Sequence, residues 1–229
     1  MVFVSIFPEI FNGFISTSII AKSIEKGVLK IDFVNPRDFS ERKHRQVDDL
    51  IYGGGDGMLL MAKPFIDAVD SVVKDLQDFA VIYLSPSDKF FTQQLAWSYS
   101  KVNTLVFVCG RYEGIDYRFE KYMEDKYGAK YSKISIGKYV LLGGEVASMV
   151  LAESIGRLVP GVVKELGSLE NDSYNIDKNM KNIEFPQFTR PEEVYGMRVP
   201  TDLLSGSHKL INDWREKNEK SIGHIENNL

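Results

Sequence analysis

Short runs of β-branched and aromatic residues alternate with longer, helix-like stretches over the first two thirds of this chain. The runs that predict strands are residues 2–6, 29–34, 80–84, 104–109 and 133–136. The stretches that predict helices are residues 10–26, 64–76, 90–99, 115–124 and 145–158. This alternation is typical of an α/β fold, in which a buried parallel sheet lies between two layers of helices.

The sequence changes character after Pro160. Residues 166–184 are polar and show no clear period, which is typical of a mobile linker. Beyond it, the spacing of Leu203, Leu204, Ile211 and Trp214 predicts an amphipathic helix over residues 201–220. We therefore expect one domain over residues 1–160, a flexible interdomain linker over residues 161–185, and a small helical domain over residues 186–229.

Composition excludes several classes of protein. The chain has 229 residues, of which 44% are hydrophobic and 26% charged, as in folded globular proteins. Its one cysteine, Cys109, has no partner for an intramolecular disulfide, and its three histidines are too scattered for a Cys/His zinc site. The N-terminus lacks a basic region, and no run of about 18 apolar residues could span a bilayer. We expect a cytoplasmic protein without a membrane segment.

Loop-forming segments follow or contain the ends of three predicted strands, and two of these three contain glycine. They read LSPSD at residues 84–88, CGRYEGID at 109–116 and SIGKYVLLGGE at 135–145, and a fourth, YGGGDGM, occupies 52–58. Loops at the carboxyl ends of parallel strands form the ligand crevice of such sheets, and glycine lets the backbone approach a ligand closely. For any one loop taken alone, a turn is the favoured explanation of its glycines. Together, the loops favour a site for one nucleoside-like cofactor.

Other chemistries find little support in the sequence. No segment fits a Walker A loop, a dinucleotide-binding G-x-G-x-x-G motif or a G-x-S-x-G nucleophile elbow. Cys109 ends an apolar run, which favours a buried, inert thiol. Acid–base and electrostatic roles remain for Asp172, Arg157, Glu113 and Asp116, although the spacing of these residues does not by itself distinguish such roles from solvated surface positions.

A basic segment, RDFSERKHR at residues 37–45, indicates a phosphate contact or a solvated loop equally well. The overall formal charge of −4 argues weakly against a nucleic-acid partner.

Read together, the motifs resemble the bacterial tRNA (guanine-N1-)-methyltransferase family of the SPOUT superfamily. The resemblance rests on CGRYEGID, SIGxYVLxGGE, RxxPGV at residues 157–162, TRPEE at 189–193 and VPxxLLSGxH at 199–208. It implies a parallel sheet with a deep trefoil knot, and methyl transfer from S-adenosylmethionine to N1 of the guanosine at tRNA position 37. It also implies a homodimer with the active site at the subunit interface, and a need for Mg²⁺ at a site that the sequence does not indicate.

The resemblance also implies roles for particular residues. Asp172 would remove the N1 proton and Arg157 would stabilise the charge that develops on O6, with Asp177 close enough to keep the choice of base open. Candidate RNA contacts are Arg42, Lys43, Arg45, His208 and Trp214, although packing in the small domain is favoured for Trp214. The residues that would hold the cofactor are Leu84, Ser85, Pro86, Gly110, Glu113, Ile136, Gly137, Lys138, Tyr139, Val140, Leu141, Gly143 and Gly144.

The sequence departs from the family pattern at Asp56, Lys138 and the long segment 117–134, and their effects stay open. Two other functions remain as alternatives: a SPOUT ribose 2′-O-methyltransferase and a catalytically silent RNA-binding module.

Overall fold

The computed structural model describes residues 1–163, 172–175, 178 and 180–221. The chain divides into two compact units, Met1–Lys164 and Glu165–Leu229. Asp177 lies outside the described residues, as does much of the predicted linker.

A parallel sheet forms the centre of the N-terminal unit. In chain order its strands are β1 (Val2–Val4), β2 (Asp32–Val34), β5 (Phe79–Leu84), β6 (Thr104–Cys109) and β7 (Tyr131–Ile134), and the short strands β3 (Asp48–Asp49) and β4 (Leu59–Leu60) pair separately. The sheet order is β2-β1-β6-β5-β7, and every neighbouring pair is parallel. The α/β fold with a central parallel sheet is thus confirmed.

Helices cover the sheet. They are α1 (Asn12–Ile15), α2 (Ser18–Glu25), α3 (Ala62–Val73), α4 (Gln93–Tyr99), α5 (Arg118–Tyr127) and α6 (Gly144–Gly156). Because side chains alternate between the faces of a strand, Val106 and Val108 join the hydrophobic cluster formed with α3 and α5. Cys109 faces the other way, and its Sγ lies 3.4 Å from Ser148 Oγ on α6. Its thiol is fully buried and burial raises its pKa, so the prediction of a buried thiol is confirmed.

The helix predicted over residues 10–26 is wrong in one respect, because the structure breaks it into α1 and α2. Ser18 adopts a φ of 57° at the break. The residues there, Ser16, Thr17 and Ser18, have hydroxyl groups that compete for backbone hydrogen bonds and so weaken a helix.

The C-terminal unit contains short elements. They are β8 (Asn182–Ile183), β9 (Glu193–Val194), β10 (Met197–Arg198), α7 (Thr201–Leu204), α8 (His208–Asn218) and β11 (Lys220–Ser221). The single helix predicted over residues 201–220 is instead two helices, separated at Gly206, and Ser207 caps α8 by accepting a hydrogen bond from Leu210 N. β9 and β10 form a hairpin that the sequence analysis did not predict.

Candidate active site

A cleft opens at the carboxyl ends of β5, β6 and β7, where the sequence predicted a ligand site. Its volume is about 270 Å³, close to the lower end of the range of about 300–1,000 Å³ that is usual for small-molecule sites. Three segments at the strand ends line it: residues 83–86, residues 110–114, and residues 134–144 with the exception of Lys138.

Backbone hydrogen bonds hold these segments together. Gly144 N donates to Gly110 O at 2.9 Å, and Ser85 N donates to Ile134 O at 3.2 Å. Arg111 and Gly143 form an antiparallel bridge. A Cβ added at Gly144 would lie 2.8 Å from Cys109 Cα, so the start of α6 approaches β6 more closely than a side chain allows. The cleft is therefore built by close contact between backbones.

The predicted cofactor residues gather around this cleft with one exception. All of them except Lys138 line it, and Lys138 is exposed. That these residues bind a cofactor stays a prediction.

Tyr83 and Arg111 also line the cleft, and the sequence analysis did not single them out. The Tyr83 hydroxyl accepts a hydrogen bond from Ile115 N at 3.2 Å, and burial raises the pKa of Tyr83. Tyr83 directly precedes the LSPSD segment, and Arg111 belongs to CGRYEGID, so a position beside or within these segments was the available signal.

The two acidic candidates of the CGRYEGID segment lie in different places relative to the cleft. Glu113 lines the cleft, and its carboxylate lies beside Gly57 of the YGGGDGM segment. Asp116 lies outside the cleft lining and pairs with Arg118, whose hydrogen bonds lower the pKa of Asp116. Of the two, the structure brings only Glu113 to the cleft.

The two predicted catalytic residues belong to different units. Arg157 is exposed at the carboxyl end of α6, whereas the cleft lies at the amino end of this helix, so about 20 Å of helix separates them. Asp172 belongs to the C-terminal unit, where its backbone carbonyl accepts a hydrogen bond from Asn182 Nδ2 at 2.9 Å. Their joint action stays a prediction.

The candidate RNA contacts are placed as follows. Arg42 pairs with Asp49 at 2.7 Å and Arg45 with Asp38 at 2.9 Å, while Lys43 is exposed between them. His208 is exposed at the start of α8. The Trp214 ring lies 6.3 Å from Phe185 and 5.9 Å from Phe188 between ring centroids, so it packs within its own unit, as expected.

Among the described residues, no three His, Cys, Asp or Glu side chains come close enough to hold a metal ion. In the same part of the chain, no helix is both long and apolar enough to cross a membrane.

A family model described as "tRNA (Guanine-1)-methyltransferase TrmD" matches residues 1–226. The chain belongs to this family.

Curated members of the family are similar in sequence to this chain along most of their length. A protein named tRNA (guanine-N(1)-)-methyltransferase from Dictyoglomus turgidum is 45% identical over 214 residues, covering 93% of this chain and 82% of the relative. Relatives of the same name from Treponema denticola and Caldanaerobacter subterraneus are 45% and 42% identical, covering 93% and 95% of this chain and 82% and 86% of their own. The family motifs described above are therefore parts of a sequence similarity that extends over most of the chain.

Proposed function

We propose that this protein transfers a methyl group from S-adenosylmethionine to N1 of the guanosine at position 37 of tRNA. One observation carries the proposal: the three motif segments converge on a single cleft at the carboxyl ends of a parallel sheet. The names of the family and of its relatives support the choice of tRNA and of guanine N1 over ribose methylation.

The cleft suits a nucleoside with a short charged tail. Its walls combine apolar side chains, such as Leu84, Ile136 and Leu141, with backbone groups of the glycine-bearing segments. Glu113 provides a negative charge at the cleft, which favours a cationic ligand such as a sulfonium. When bound, S-adenosylmethionine supplies the electrophilic methyl group.

Methyl transfer to guanine N1 needs a base, because N1 carries a proton in the neutral ring. Asp172 takes this proton, and Arg157 stabilises the negative charge that grows on O6 as the proton leaves. Both roles are assigned by motif, and Asp177 remains the competing base. Exclusion of water strengthens these interactions in a closed site.

Arg157 meets the cleft only if a second subunit supplies it, since about 20 Å of helix lies between them in one chain. The structure offers a surface for such a dimer: Val146 and Val150 are 56% and 43% exposed on one face of α6, and Leu142, two residues before the helix, is 90% exposed. Val150 lies seven residues from Gly143 and seven from Arg157. Antiparallel packing of two α6 helices through Val150 would therefore bring the Arg157 of each subunit to the cleft of the other.

The path of the chain supports a trefoil knot. After β7, at the edge of the sheet, the chain returns past β5 to the end of β6, where Gly144 N donates a hydrogen bond to Gly110 O. It then enters α6, which packs on both β5 and β6. Because tRNA is the substrate, the cytoplasm is the proposed compartment.

The function is tested by incubating the protein with methyl-labelled S-adenosylmethionine and tRNA that carries guanosines at positions 36 and 37. We expect label in N1-methylguanosine; label in a 2′-O-methylated nucleoside would favour the ribose methyltransferase. Donor binding without turnover on any tRNA would favour the silent RNA-binding module.

The residue roles are tested by Asp172→Ala and Arg157→Ala. Each should lose at least about 100-fold in the rate of methyl transfer while still binding the donor, since both residues act mainly in the transition state. Asp177→Ala is the matched control. If this variant loses methyl-transfer activity and Asp172→Ala does not, the base is Asp177.

A further inference from the structure

A fully buried carboxylate lies below the cleft, and the chemistry proposed above makes no use of it. Glu145, in the first turn of α6, has 0% of its surface exposed. Ser5 Oγ donates a hydrogen bond to Glu145 Oε1 at 2.7 Å, and Arg111 Nε lies 2.9 Å from Oε2. The Arg111 N–H is not aimed at Oε2, so this contact is an ion pair without a well-directed hydrogen bond.

The carboxylate joins three segments that are distant in sequence. Ser5 follows β1, Arg111 follows β6, and Glu145 is the second residue of α6. Ser5 Oγ also accepts a hydrogen bond from Phe7 N at 3.0 Å, which fixes the hydroxyl. Arg111 belongs to one wall of the cleft, and Gly143 and Gly144, directly before Glu145, belong to another.

Arg111 is held on several sides. Its Cζ lies 5.1 Å from the centroid of the Phe7 ring, and only 21% of its side chain is exposed. A Cβ added at Gly143 would lie 2.4 Å from Arg111 Nε and 2.6 Å from Glu145 Oε2, so the ion pair packs directly against this glycine. The position of Gly143, and with it the end of the 134–144 wall, therefore depends on the pair.

A buried ion pair adds little to stability, because removing both charges from water offsets most of their attraction. Its amino-terminal position in α6 favours the carboxylate through the helix dipole, but an apolar pair of similar volume could fill the same space. What an apolar pair lacks is the attraction between charges: the Glu145 carboxylate holds the guanidinium of Arg111, a residue that lines the cleft, in its mostly buried position.

We propose that Glu145 is a positioning residue for methyl transfer. Acting through Arg111, it holds residues 110–113 and 143–144 in the arrangement that accepts the methyl donor. This inference rests on the proposed function, since it takes that donor to occupy the cleft.

The test measures binding of S-adenosylhomocysteine, the demethylated form of the donor, by isothermal titration calorimetry. Glu145→Gln keeps the shape and removes the charge, and Arg111→Gln removes the other partner. We expect each variant to raise Kd at least tenfold and the double variant to raise it no further, because both changes break one interaction. With tRNA, KM for the donor should rise similarly while kcat at saturation falls less than threefold.

Asp70→Asn is the matched control. Asp70 accepts hydrogen bonds from Tyr122, Tyr127 and Lys126 between α3 and α5, and none of these residues lines the cleft. This variant should lose thermal stability yet keep Kd within twofold of the parent. If Glu145→Gln behaves like Asp70→Asn, the role of Glu145 is structural and the proposal is wrong.

Two further outcomes are informative. If Glu145→Gln does not fold, Ser5→Ala weakens the same carboxylate more gently and should raise Kd about threefold; an unchanged Kd would overturn the proposal. If the parent protein itself fails to bind S-adenosylhomocysteine and to methylate tRNA, the proposed function fails instead.

Discussion

Replacing Gly144 by alanine should separate the start of α6 from the end of β6. The new Cβ would lie 2.8 Å from Cys109 Cα, 3.2 Å from Gly110 N and 3.3 Å from Cys109 Cβ. Carbon atoms pack at about 3.5–4.0 Å, so one of the two backbones must move by roughly 0.7 Å or more. A movement of that size along the bond would lengthen the 2.9 Å hydrogen bond from Gly144 N to Gly110 O beyond its normal range.

Overpacking of this kind costs about 1–3 kcal/mol of unfolding free energy. For a chain of this size that corresponds to a fall in Tm of roughly 2–12 °C, measurable by differential scanning calorimetry. Since Gly110 and Gly144 both line the cleft, the affinity for S-adenosylhomocysteine should fall as well.

Gly13→Ala is the control for Gly144→Ala, because a Cβ added at Gly13 in α1 meets no atom within 4 Å. Alanine there should be neutral or should stabilise the protein by up to about 1 kcal/mol. Equal Tm values for the two variants would refute the idea that the Gly144–Cys109 approach is a tight one.

Two more changes have clear expected results. Val150→Glu should disrupt the proposed pairing of two α6 helices, giving a monomer in sedimentation velocity, and should abolish methylation, whereas Ile19→Glu, on the partly exposed surface of α2, should sediment like the parent. Asp70→Asn should lower the unfolding free energy by about 1–3 kcal/mol near pH 7 in urea titrations. Burial opposes ionisation of Asp70, but hydrogen bonds from Lys126 and Tyr127 outweigh it and hold its pKa below the usual value. Stability from this group is present above about pH 4, the usual range of an unperturbed aspartate, and is lost as the pH falls through the lowered pKa, so the stabilities of parent and variant should converge at still lower pH.

The sheet could be predicted from the sequence because buried parallel strands are dense in β-branched and aromatic residues. Residues 104–109 of β6 match the predicted strand, whereas β7 lies at Tyr131–Ile134 instead of residues 133–136. The shift arises because Ser135 and Ile136, although suited to a strand, enter the wall of the cleft. The strand propensity of individual residues does not show where a strand ends and a ligand-binding loop begins.

The ion pair below the cleft could not be predicted in the same way. Arg111 and Glu145 are 34 residues apart, and both belong to motifs in which glycines were the visible signal. Their contact depends on the order of the strands, which brings the start of α6 back to the end of β6. A charged residue inside a motif therefore gives no sign of its partner until the topology is known.

Glycine-rich segments look alike in sequence, but the glycines of this protein are required for two different reasons: backbone conformation and lack of space for a side chain. Gly53, Gly54 and Gly55 have positive φ values of 88°, 82° and 131°, and an added Cβ at any of them would meet nothing within 4 Å. They are glycines because of backbone conformation, which is the ordinary turn explanation. Gly143 has an extended φ of −178° that any residue adopts, yet a Cβ there would collide with Arg111 and Glu145. Glycine is required at this position because neighbouring side chains of the protein leave no room for a Cβ, and not because a ligand approaches the backbone. The argument for a methyl-donor site therefore depends on three segments meeting at one cleft and not on their glycine content.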